Sequence, residues 1–223
     1  MRWVTGEDVA TTEMAAAEFI AARLGDAIAA RGVASFAMSG GRTPWNMFGR
    51  LATLGVAWPQ VRVFQVDERI VAADSDERNW KQWCATPLAQ RIPASMQHPM
   101  PVELDDPARR YEETLRAHCG DPPVLDVVHL GIGDDGHTAS LFVGDRLIAE
   151  VARDVGVSAP RFGLRRLTLT LPALARARSI VWLALGAARR EAIRRLYAGD
   201  RSIAASRVAR GQATVFTDPA AAP

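Results

Sequence analysis

The chain has 223 residues, 48% of them hydrophobic and 23% charged, with a formal net charge of +2. This is the composition of a globular protein with a substantial core, and the near balance of charge argues against nucleic acid as a partner. Two cysteines without a CxxC pair exclude a zinc module or a disulfide framework, and no apolar run reaches the roughly 18 residues of a membrane span.

The first residues carry Glu7, Asp8 and Glu13 and no apolar stretch, so no signal peptide is expected and the cytoplasm is the expected compartment. Ala15 to Arg31 has apolar residues at helical spacing (Phe19, Ile20, Leu24, Ile28), with Gly32 placed to stop the helix. Val33 to Met38 is a short buried strand. Ser39-Gly40-Gly41 interrupts it, and Thr43-Pro44 opens a second helix, with Pro44 in the first turn where its missing N–H costs nothing. Val61 to Val66 is another strand, running into Asp67-Glu68-Arg69. Helices are expected over about Asp76 to Gln90 and over Pro107 to Cys119, with a long Pro-rich loop from Ile92 to Pro107 between them. Leu125 to Leu130, Leu167 to Leu171, Ile180 to Leu185 and Thr214 to Thr217 read as strands, and Glu191 to Tyr197 as a helix. Alternating strands and helices predict an α/β fold, a single domain over residues 1–223, with a largely parallel sheet and helices on both faces.

In such sheets ligands sit beyond the carboxyl ends of the strands, and three polar clusters follow strands here. Ser39-Gly40-Gly41-Arg42-Thr43-Pro44 could bring backbone amides, hydroxyls and a positive helix end to a phosphate. It is neither a Walker A loop nor a GxGxxG turn, and the same residues fit a tight turn that binds nothing. Asp67-Glu68-Arg69 offers two carboxylates and a guanidinium for a sugar, although charges after a strand are also ordinary solvated residues. Gly131-Ile132-Gly133-Asp134-Asp135-Gly136-His137 places a histidine between a glycine turn and an expected helix start. His137 suits acid–base work, with Asp135 to orient its ring; taken alone, it fits a structural or exposed histidine as well. His129, inside a strand pattern, reads as a packing residue. Cys84 and Cys119 read as small core residues. No metal-binding pattern is present.

Together these clusters resemble the 6-phosphogluconolactonases of the wider glucosamine-6-phosphate isomerase superfamily. The matching pieces run in order from Ser39 to Thr217: SGGRTP (39–44), DER (67–69), Asn79, LGIGDDGHTASLF (130–142), APR (159–161), RLTLT (166–170) and GAAR (186–189). The resemblance implies a Rossmann-like fold of the sugar-phosphate isomerase type. It also implies a cytoplasmic hydrolase, needing no cofactor, that opens 6-phospho-D-glucono-1,5-lactone to 6-phosphogluconate. Carried over by position, the phosphate site falls on Ser39, Gly40, Gly41, Arg42, Thr43, Arg166 and Arg189, Arg69 lies close to the lactone, and His137 is the general base. Arg42 stands where the family usually has serine, and Arg161 and Arg189 where lysine is usual. The sister deaminases resemble the chain in the same loops but typically carry glutamate at the position of Phe142, and DEY in place of DER. A sugar-phosphate sensor without turnover is the other reading. The partner implied is a phosphorylated sugar lactone, with neither nucleic acid nor membrane, and the sequence leaves the oligomeric state open.

Overall fold

The computed structural model describes residues 1–41, 43–161 and 163–223. Strand β1 (Arg2–Thr5) leads into helix α1 (Val9–Arg31), strand β2 (Ala34–Met38) and helix α2 (Pro44–Ala52). Strand β3 (Val61–Gln65) is followed by β4 (Asp67–Arg69), the short helices α3 (Asn79–Cys84) and α4 (Pro87–Arg91), strand β5 (Gln97–His98) and helix α5 (Pro107–Cys119). The remainder comprises β6 (Val127–Leu130), β7 (Val155–Val157), β8 (Arg166–Leu169), α6 (Leu171–Ala175), β9 (Ser179–Ala184), α7 (Arg190–Ala198) and β10 (Ala213–Thr217).

Among the described residues, seven strands form one sheet in the order β1-β10-β9-β6-β2-β3-β5, every neighbouring pair parallel. From β2 the chain moves outward through β3 to β5. It then crosses back to β6 and moves outward the other way through β9 to β10. Neighbouring β2 and β6 therefore form the point where the winding reverses, and a crevice opens beyond their carboxyl ends.

The pleat sends alternate side chains into two apolar layers. Phe36, Met38, Val63, Val127 and Val181 pack with α1, α2, Trp83 of α3 and Leu88 of α4. Ala37, Phe64, Val128, Leu130, Ile180 and Trp182 pack with α5, α6, α7 and the second sheet. Phe48 of α2 meets Phe36 and Trp83 edge-on at centroid distances of 6.0 and 5.8 Å. It is fully buried, so truncation to alanine would cost about 3–5 kcal/mol.

The α/β class, the parallel sheet and the helices on both faces agree with the sequence pattern; several local expectations do not. Helix α1 begins at Val9, six residues early, because Asp8 and Thr11 form a reciprocal cap: Asp8 accepts from the Thr11 amide (2.7 Å) while Thr11 Oγ1 accepts from the Asp8 amide (3.0 Å). The single helix expected from Asp76 to Gln90 is two, since Thr86-Pro87 breaks it and restarts it. The Pro-rich stretch holds the edge strand β5. The segment from Leu167 does not join the parallel sheet: β8 lies between β4 and β7 in a small antiparallel sheet. No α-helix starts in the segment directly after His137. The chain instead makes a bridge between Thr138 and Leu141 and reaches a single 3-10 turn at Arg146–Ala149. His137 therefore does not stand at a helix start.

Candidate active site

A cleft of about 320 Å³ opens where β2 and β6 diverge. The loop after β2 forms one wall. Ser39 is buried, and Gly40 and Gly41 carry the chain to Thr43, the residue before α2. Gly41 has φ of +109°, a conformation that favours glycine. Gly40 is required for a different reason, since a Cβ there would lie 2.1 Å from Asn79 Oδ1. Thr43 makes no side-chain cap to its helix, so its hydroxyl is not committed there. Arg42, expected in the phosphate site, lies outside the described residues.

The second wall is built from Asp67-Glu68-Arg69, which is not a solvated loop. Glu68 is fully buried. Its carboxylate accepts from the Arg69 and Asn79 amides (2.8 and 2.9 Å), the Trp80 amide and Gln65 Nε2 (both 2.8 Å), and pairs with Arg78 Nε at 3.4 Å. One carboxylate thus caps α3 and ties it to β4. Helix α3 delivers Asn79, whose Oδ1 accepts from Arg69 Nη1 at 2.6 Å while its Nδ2 donates to the Asp67 carbonyl at 3.1 Å. Arg69 also donates to the Glu77 carbonyl at 2.9 Å, so its guanidinium is held at the cleft. Asp67 accepts from Ser140 Oγ at 2.6 Å, which joins this wall to the third. The positions of Glu68 and Ser140 could not be weighted from sequence, because their partners are side chains and amides far along the chain.

The third wall follows β6. The His137 carbonyl accepts from the Gly133 amide (2.8 Å) and the Gly133 carbonyl from the Gly136 amide (3.0 Å), closing a tight turn with Gly136 at φ +80°. Asp135 Oδ1 accepts the His137 amide at 3.0 Å and lies 2.5 Å from His137 Nδ1. Burial resists ionisation of Asp135, but the two bonds from His137 and the charge of Arg161 outweigh it and hold the carboxyl below its usual range. An ionised acceptor on Nδ1 favours the proton on that nitrogen and leaves the lone pair on Nε2. His137 also packs on Phe142, with centroids 4.7 Å apart.

The arginines divide. Arg189 lines the cleft from the short turn before α7. Arg166 stands beside it rather than in its lining, paired with Arg69 in the β4–β8 register. Its guanidinium lies 5.6 Å from the Phe142 centroid, where that of Arg161 lies at 5.1 Å. Burial lowers the pKa of Arg166, the charge of Asp67 opposes this, and Arg69 and Arg161 add to it. Arg161 also reaches Asp135 Oδ2 at 3.5 Å.

The cleft thus gathers Ser39, Gly40, Gly41, Thr43, Asp67, Arg69, His137 and Arg189, with Asp135 and Arg166 behind them. Asn79 and Gln82 line it too, as does His129, whose strand position suggested packing alone. Cys84 and Cys119 are not in the lining, and neither is the core residue expected: Cys84 is exposed and Cys119 half-buried, with partial burial pushing both thiols up, Cys119 to about 11. Among the described residues, no three His, Cys, Asp or Glu side chains are grouped to hold a metal ion, and no helix is long and apolar enough to cross a membrane.

Comparison with known proteins agrees with this architecture. Residues 7–217 match the family described as glucosamine-6-phosphate isomerases/6-phosphogluconolactonase. The chain is 39% identical over 196 residues to a 6-phosphogluconolactonase of Synechocystis, covering 81% of this chain and 78% of that one. It is 36% identical over 194 residues to one of Mycobacterium tuberculosis, covering 80% and 78%. The solved 6-phosphogluconolactonase of Trypanosoma brucei superposes with a TM-score of 0.86 at 25% identity, over 99% of this chain and 97% of that one.

Proposed function

The chain belongs to the glucosamine-6-phosphate isomerase/6-phosphogluconolactonase family, and from that membership we propose that it hydrolyses 6-phospho-D-glucono-1,5-lactone to 6-phosphogluconate with His137 as general base. The observation that carries the reading is the Asp135–His137 pair at the mouth of a cleft whose other walls are a glycine-rich helix start and a tethered arginine.

The phosphate is anchored at the helix end by the amides of Gly40 and Gly41, the hydroxyls of Ser39 and Thr43, and Arg189, with Arg42 and Arg166 adding charge. In this reading the lactone carbonyl lies between Arg69 and His137, which both line the cleft. Neutral His137 takes a proton through Nε2 from a water attacking C1. Asp135 holds the ring in the tautomer that permits this and stabilises the imidazolium. Arg69 faces the oxygen on which negative charge develops. The imidazolium then returns its proton to the ring oxygen as the C1–O bond breaks, leaving the carboxylic acid and a free hydroxyl. A lactone is already activated, so a general base, worth about 10²–10⁴-fold, together with positioning supplies the chemistry.

Phe142 counts against the sister deaminase reaction. It contributes an apolar ring packed on His137 where an acid would be needed to help open a sugar ring. The discriminating assay incubates the protein separately with freshly made 6-phosphogluconolactone and with glucosamine 6-phosphate. Accelerated loss of lactone with no ammonia released supports the lactonase. Ammonia release would establish the deaminase, and binding of 6-phosphogluconate without turnover would make the protein a sugar-phosphate sensor.

A further inference from the structure

Packing accounts for only part of what His129 does. Its ring is 1% exposed and sits edge-on to Phe48, with centroids 5.4 Å apart and planes at 72°. Yet the residue lines the cleft, and among the described residues neither Nδ1 nor Nε2 has a hydrogen-bond partner. Ser39, at the end of the adjacent strand β2, is 4% exposed, also lines the cleft, and has an equally unpartnered Oγ. Polar atoms buried so deeply nearly always find partners, and an apolar side chain would suit this layer of the core better. His129 precedes Gly131 by two residues and contacts α2, the helix that the glycine-rich loop opens. It therefore lies under the end of the cleft assigned above to the phosphate.

Resting on the lactonase reading, we propose that His129 is a substrate-binding residue: its ring N–H and the Ser39 hydroxyl donate to phosphoryl oxygens from the floor of the cleft, setting the preference for a phosphorylated substrate. A neutral imidazole offers one donor, as a phosphoryl oxygen requires, and one acceptor that suits a hydroxyl proton. Burial keeps the ring neutral, drawing its pKa down to about 3. The edge contact with Phe48 fixes the plane of the ring, so little order is lost on binding.

The test compares wild type with His129→Leu, which fills the space without nitrogen, and His129→Gln, which restores a donor. Binding of 6-phosphogluconate is measured by calorimetry. Hydrolysis of the phosphorylated lactone is compared with that of unphosphorylated glucono-1,5-lactone. In His129→Leu, binding should weaken and KM for the phosphorylated lactone should rise by about tenfold or more. Its kcat should stay within about threefold of wild type, with a smaller loss for the unphosphorylated lactone than for the phosphorylated one. His129→Gln should recover part of the loss. Unchanged 6-phosphogluconate binding in His129→Leu, an equal loss for both lactones, or no recovery in His129→Gln would overturn the proposal. A readout free of variants uses wild-type protein with ¹⁵N-labelled histidine: the His129 ring signals should move when inorganic phosphate is added, and unmoved signals would contradict the assignment. If wild type binds 6-phosphogluconate through His129 but leaves the lactone intact, the lactonase reading fails and the binding role stands.

Discussion

Asp135 binds His137 twice through one oxygen, accepting the backbone N–H at 3.0 Å and facing ring Nδ1 at 2.5 Å. The turn that makes this bond feasible leaves no room at Gly133, where a Cβ would lie 2.1 Å from His137 Nδ1 and 2.7 Å from Asp135 Oδ1. The glycine, the acid and the histidine act as one unit. Asp135→Asn should therefore lower kcat by about 10²-fold, since the amide can also stabilise the wrong tautomer, with KM nearly unchanged. Gly133→Ala should give a similar loss in a protein that still folds. A Gly133→Ala enzyme with wild-type kcat would show that the ring need not stand where it does.

The other wall depends on a residue that never meets the substrate. Glu68→Gln keeps the size of the side chain, but its amide NH₂ faces at least two of the amide and guanidinium donors that now converge on the carboxylate. We expect a loss of about 2–4 kcal/mol in unfolding free energy, read from urea denaturation. Arg69 would also be loosened through Asn79, so kcat/KM should fall even where the variant is fully folded. A Glu68→Gln protein of wild-type stability would contradict the network described for α3 and β4.

Acid should destabilise the fold through the fully buried His129 and the half-buried His98. Burial lowers the pKa of His129 to about 3 and that of His98 to about 4, the latter helped by the charges of His118 and Arg62. The unfolded chain takes up protons on these rings near pH 6.5, whereas the native chain does so only at much lower pH. Stability is thus full above about pH 7 and declines as pH falls through 6.5 toward 3. His129 alone should account for roughly 2 kcal/mol between pH 7 and pH 5. Urea midpoints at the two pH values should differ less in His129→Leu than in wild type; an equal difference would show that His129 plays no part.

The sequence carried the architecture well because it is written in local terms: apolar runs of strand length, a glycine ending α1, a proline opening α2. The small antiparallel sheet was less legible. Asp67-Glu68-Arg69 is three charged residues with no strand pattern, and it becomes β4 only by pairing with Arg166, Leu167 and Thr168 a hundred residues later. The site divides in the same way. Residues in glycine-rich runs, such as Ser39 to Gly41 and Gly131 to His137, could be read directly. Glu68, Ser140 and the floor position of His129 depend on contacts between distant strands and carry no motif of their own. The helix expected after His137 shows the limit from the other side, since the residues there are held in a turn, with Ala139 at φ +50°.

The base assigned to His137 is tested most directly by following freshly generated 6-phosphogluconolactone with wild type and His137→Ala, spontaneous hydrolysis subtracted, alongside calorimetry with 6-phosphogluconate. His137→Ala should lose about 10²–10⁴-fold in kcat while 6-phosphogluconate binding is retained. Hydrolysis by His137→Ala within a few-fold of wild type would contradict it, and would move the general base to another group in the cleft.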